Sequence, residues 1–120
     1  MTTRRQPTAA PWRRTGLLVL VLAAAPLGAA QEPRTFTGVV TDELCAVGGH
    51  AGMQMGPTDG DCARACAEAH DAAFVLVDGE NVYKLSNQAM PRPLAGQRVR
   101  VVGTLDAATG TIQVQSMTAQ

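Results

Sequence analysis

Seven residues of the kinds that ligate soft metals or carry redox chemistry fall within the 26 positions from Cys45 to His70: Cys45, His50, Met53, Met55, Cys62, Cys66 and His70. Every cysteine and both histidines of the chain are among them. Thiolate, imidazole and thioether suit copper and zinc, whereas calcium and magnesium take oxygen ligands, so a soft transition metal is the chemistry this window can do. Cys45, His50, Cys62 and Cys66 form the expected ligand set, with Met53, Met55 and His70 as weaker candidates. A thioether is a good ligand for Cu(I) and adds little for zinc, so the two methionines tilt the expectation from zinc toward copper. His70 has an alternative role as a helix C-terminal residue meeting the negative end of the dipole.

A disulfide is the competing use of these thiols. Three cysteines in a small exported domain allow one bridge and one free thiol. Residues at i and i+4 on a helix hold their Cβ atoms about 5 to 6 Å apart, against the roughly 3.5 to 4.5 Å of a disulfide, so Cys62–Cys66 is disfavoured and Cys45 with Cys62 or Cys66 is the expected alternative pair. A metal would occupy all three thiols. A thiol-redox function ranks below both, because redox dithiols usually read CxxC rather than CxxxC.

The elements that must position these groups are mostly strands. Thr35 to Thr41 is β-branched, Phe74 to Asp78 and Asn81 to Leu85 form a hairpin across Gly79-Glu80, and Arg98 to Leu105 alternates with Val99, Val101, Gly103 and Leu105 on one face. Thr111 to Met117 returns after the turn residues Asp106 to Gly110, with Ile112 and Val114 inward. Ser86 to Gly96 carries two prolines and holds at most a turn or short helix. Asp61 to His70 is the one convincing helix, rich in alanine, with Asp59 and Asp61 as N-cap candidates. On it Cys62, Cys66 and His70 lie at roughly 0°, 40° and 80°, one stripe along one face. The glycine-rich stretch from Ala46 to Gly60 is a loop able to bring Cys45 and His50 over that stripe.

Five strands with a short element between the third and fourth follow the order of the OB-fold, a small Greek-key barrel that binds through its connecting loops. The expected architecture is mainly β: a small five-stranded OB-like barrel, with one short helix inserted between strands 1 and 2 and the Cys/His insertion spanning about residues 42–71. A small α+β roll is the alternative.

The segments FTGVVTDELC, AFVLVDG, VYKLSNQ, LAGQRVRVVGTL and TIQVQSM, together with His50 and the CxxxC helix, resemble an uncharacterised family of small exported bacterial proteins expected to form such a barrel. Cys45, His50, Cys62 and Cys66 match the Cys/His pattern of that family. The resemblance implies fold and export; it implies no substrate.

Arg4, Arg5, Arg13 and Arg14 precede the short apolar run Leu17 to Ala25, and Gly28-Ala29-Ala30 offers small residues for cleavage. Residues 1–30 are therefore expected to be a signal peptide cleaved near Ala30, leaving 31–120 as a single periplasmic or secreted domain. Sec export is the default, and the Arg13-Arg14 pair also allows a twin-arginine route. The apolar run is far shorter than the roughly 20 residues that span a bilayer, so no membrane anchor is expected. Residues 31–120 hold six basic against ten acidic residues, a formal charge of −4. With only Phe36, Phe74 and Tyr83 as aromatics in this part, nucleic acid is an unfavourable partner. No nucleophile elbow, phosphate loop or haem motif is present, and an enzyme is not expected. Two functions remain: a soft-metal-binding protein for storage, delivery or resistance, working with a metal-trafficking partner, and a disulfide-stapled module that binds a protein or envelope component without metal.

Overall fold

In the computed structural model, residues 1–2 and 31–120 are described, and the expected signal segment lies outside them but for its first two residues. The chain runs β1 (Arg34–Asp42), a 3-10 turn (His50–Gly52), α1 (Asp59–His70), β2 (Phe74–Asp78), β3 (Asn81–Leu85), a second 3-10 turn (Arg92–Leu94), β4 (Arg98–Asp106) and β5 (Thr111–Ala119). The strands close into a barrel in the order β1-β2-β3-β5-β4. Four pairings are antiparallel and β3 with β5 is parallel, through Lys84 opposite Thr111 and Leu85 opposite Ile112. This is the expected OB-like barrel, with its helix between the first two strands.

Closure depends on β1, which serves two neighbours. Its first half pairs with β4 and its second half with β2, and Val39 faces both Arg98 and Val77. The strand must coil sharply there, and Gly38 allows it: a Cβ at that position would stand 2.4 Å from the Val77 carbonyl oxygen. Inside, Val40, Leu76, Val99, Val101 and Ile112 are fully buried and meet Phe36, Phe74 and Leu85. Each large side chain removed from water in this way contributes about 1.5–3 kcal/mol. Arg98 and Arg100 alternate outward between the buried valines.

β5 departs from simple alternation. Its register against β4 shifts between Val102, opposite Ser116, and Gly103, opposite Val114, so Gln115 is an extra residue. That bulge reverses the parity of the strand, which is why Met117 packs on the same core as Ile112 and Val114.

α1 starts two residues before its expected position, and its N-cap is Thr58 rather than Asp59 or Asp61. The Thr58 Oγ1 accepts from the Asp61 N–H at 3.1 Å and donates to the Asp61 carboxylate at 2.6 Å. The helix settles on the connection between β3 and β4. A Cβ at Gly60 would lie 2.4 Å from the Ala95 carbonyl oxygen, and Arg92 reaches Glu68 at 2.8 Å. Where the insertion leaves the barrel, the Glu43 N–H donates to the Ala73 carbonyl and the Ala73 N–H to Glu43 Oε1, closing a neck around the whole excursion.

Candidate metal centre

The insertion carries its own small apolar cluster, separate from the barrel core: Cys45, Cys62, Cys66 and Ala72 are buried together, with Met55 packed against them. Three elements deliver its donors. Cys45 follows the end of β1, Cys62 and Cys66 come from successive turns of α1, and His50 and Met55 come from the loop between. Ala63 and Cys66 face inward with Cys62, whereas the polar face of the helix carries Arg64 and Glu68.

Cys45 is placed by Asp42. The Asp42 Oδ1 accepts from the backbone N–H of Leu44 at 3.0 Å and of Cys45 at 3.1 Å, a side-chain turn that reverses the chain as it leaves β1. Asp42 is fully buried, and its second oxygen, Oδ2, makes no hydrogen bond. The described salt bridges, Arg64–Asp61 and Arg92–Glu68, leave no cation paired with Asp42. A buried carboxylate ordinarily has a cation or a metal beside it.

His50 is oriented by Thr41, whose Oγ1 lies 3.0 Å from its Nε2. The other ring nitrogen, Nδ1, is buried and makes no hydrogen bond. With Nε2–H donating to Thr41, Nδ1 presents a lone pair, the arrangement in which a metal-bound imidazole is held by a hydrogen bond through its far nitrogen.

The sulfur atoms also meet. Met55 donates its backbone N–H to Cys62 Sγ at 3.4 Å, and its own Sδ stands 3.7 Å from Cys66 Sγ. Two sets of potential ligand atoms lie within 4.8 Å of one another: Cys45, His50 and Cys62, and Asp42, Cys45 and Cys66. All three cysteines are free thiols, and the expected alternative of a Cys45 bridge to Cys62 or Cys66 is absent from the structure. Burial, and then Asp42 beside it, pushes the Cys45 thiol from an ordinary 9.0 up to about 12. Cys66 is raised too, by burial first and then by the charge of Asp42. These are thiols that hold their protons until something better arrives.

The structure thus brings Cys45, His50, Cys62 and Cys66 together, with Met55 among them. It does not bring Met53 or His70. Met53 is an exposed residue just after the 3-10 turn, and Gln54, left-handed at φ 42°, turns the chain between the two methionines. His70 is exposed at the last position of α1, beyond the buried part of the stripe. Asp42, which from the sequence reads as an ordinary turn residue before Cys45 rather than as a hard ligand, joins the cluster as well. An Asp at the end of a strand three positions before a cysteine is the signal that could have found it. An open cleft of about 470 Å³, lined by His50, Cys62, Gln54 and Pro57 among others, lies beside the cluster.

A family model described as a protein of unknown function (DUF5818) matches residues 68–120. The similarity takes in the end of α1 and strands β2 to β5, and none of Asp42, Cys45, His50, Met55, Cys62 and Cys66 lies within it. The resemblance read from the sequence covers nearly all of residues 31–120; the match covers the part that builds most of the barrel. No curated protein and no solved structure matches the chain.

Proposed function

We propose that this chain is a small exported soft-metal-binding protein, with copper(I) favoured over zinc, that stores, delivers or sequesters the ion outside the cytoplasm and exchanges it with a metal-trafficking protein of the envelope. His50 carries the reading. Its Nε2 is held by Thr41, and its Nδ1 is a buried atom without a hydrogen bond, in a group that also holds two buried thiols. Imidazole fixed through one nitrogen and presented through the other beside thiolates is a ligand set for a soft ion. Copper is favoured because the third kind of donor is a thioether, Met55 Sδ, packed on Cys66.

Metal analysis of the exported protein, purified natively without added metal, tests this. Copper or zinc should accompany the protein, and adding either ion to reduced, metal-free protein should raise its melting temperature. Binding to the folded state alone at a hundredfold excess over Kd contributes about 2.7 kcal/mol, which in a domain of this size is a shift of roughly ten degrees or more. Metal-free protein with a Cys45 disulfide by peptide mapping, melting identically with and without metal after reduction, would leave the stapled interaction module as the function.

A further inference from the structure

The donors of the cluster do not form one ring. They sort into two groups, Cys45 with His50 and Cys62, and Cys45 with Asp42 and Cys66, which share only Cys45. Among the described residues the buried side-chain polar atoms without a hydrogen-bond partner are His50 Nδ1 and Asp42 Oδ2. His50 is a member of the first group and Asp42 of the second. Buried polar atoms are almost always satisfied, so each orphan asks for a partner of its own. A single ion seated among Cys45, His50 and Cys62 would answer Nδ1 and leave Oδ2 as it is.

The second group also has a fourth donor. Two sulfur ligands at about 2.3 Å from one tetrahedral ion stand roughly 3.8 Å apart, and Met55 Sδ is 3.7 Å from Cys66 Sγ.

Resting on the soft-metal reading above, we propose that the cluster holds two ions bridged by Cys45 Sγ. The inner ion is closed in by Asp42, Cys45, Met55 and Cys66. The outer ion is held by Cys45, His50 and Cys62. His50 and Cys62 line the cleft, so the outer ion keeps one side open to an incoming ligand. Structural metal sites fill their coordination and working sites leave a position free. The inner ion therefore fixes the cluster, and the outer ion is the one exchanged.

Both ions have donor sets here that fit them, so the reduced exported protein is titrated anaerobically with Cu(I) and, separately, with Zn(II), each against a chromogenic chelator. Saturation at two equivalents of either ion is expected. His50→Gln should hold one equivalent and Asp42→Asn one, because each removes a donor from a different centre. In the fully loaded protein, X-ray absorption should show a metal neighbour to the metal, a readout that does not depend on any variant folding. Chelator removal should be biphasic, with the fast phase missing in His50→Gln. Saturation at one equivalent of both ions, or no metal neighbour in the loaded protein, overturns the two-ion cluster and leaves the soft-metal function standing. Saturation at none removes both.

Discussion

Asp42→Asn should make the metal-free protein more stable and the metal-loaded protein less so. The wild-type carboxylate is fully buried, and one oxygen makes no hydrogen bond. Asparagine keeps a carbonyl oxygen for the Leu44 and Cys45 N–H groups, now bonded at 3.0 and 3.1 Å, and removes the charge from beside two thiols. An unsatisfied buried polar atom costs about 1–3 kcal/mol, more when charged. Each kcal/mol moves the melting temperature of a domain this size by about 4–8 °C. The reduced, metal-free variant should therefore melt at least roughly 4 °C above wild type by scanning calorimetry. Asp42→Ala removes the Oδ1 bonds as well, and bonds to a charged group are worth about 1.5–3 kcal/mol, so it should melt well below Asp42→Asn. With metal present the order of wild type and Asp42→Asn reverses. An Asp42→Asn protein that melts below wild type when metal-free would refute the argument, since the carboxylate would then be satisfied by something inside the fold.

Three further outcomes follow from other parts of the structure. Met55→Leu should weaken Cu(I) binding and leave Zn(II) nearly unchanged, whereas Met53→Leu should alter neither, as competition titrations with each ion would report. Thr58→Ala removes the N-cap of α1 and should cost about 1 kcal/mol, read as a fall in the denaturant midpoint with an unchanged slope. Metal must displace protons from Cys45 and Cys66, so apparent affinity should rise from pH 6.5 to pH 8, up to about a decade per pH unit for each thiol displaced. In the metal-free protein the sign is opposite: the Cys45 proton stabilises the fold below its ordinary 9.0, and that contribution is lost as pH climbs toward about 12. Alkaline melts should show the decline.

The strands were legible because their local and global demands agree. Gly79-Glu80 between two β-branched runs can only be a tight reversal, and β2 and β3 have the bounds their residue types suggest. β5 was legible only up to its bulge, because the extra residue at Gln115 answers to the register of β4 and not to its own sequence. Cys62 and Cys66 were readable as a helical pair. His70 shared their stripe on an ideal helix, but it stands on the last turn, past the point where the loop covers the face. Met53 and Met55 differ because of one left-handed residue, Gln54, in a loop where no periodicity says which way a side chain turns. Asp42 read as an ordinary turn residue, and that description is half right: one oxygen makes the turn, and the other is free to meet the cysteines.

The neck between Glu43 and Ala73 makes the Cys/His insertion a detachable cassette. The buried thiols between those two residues form a cluster of their own, while Ala63 seats α1 on the barrel core, and β1 and β2 are antiparallel neighbours that a short hairpin could equally well join. Closing a loop of about thirty residues rather than about four costs only roughly 2 kcal/mol more in chain entropy. A barrel of this kind can therefore gain, lose or exchange such an excursion without re-laying its strands.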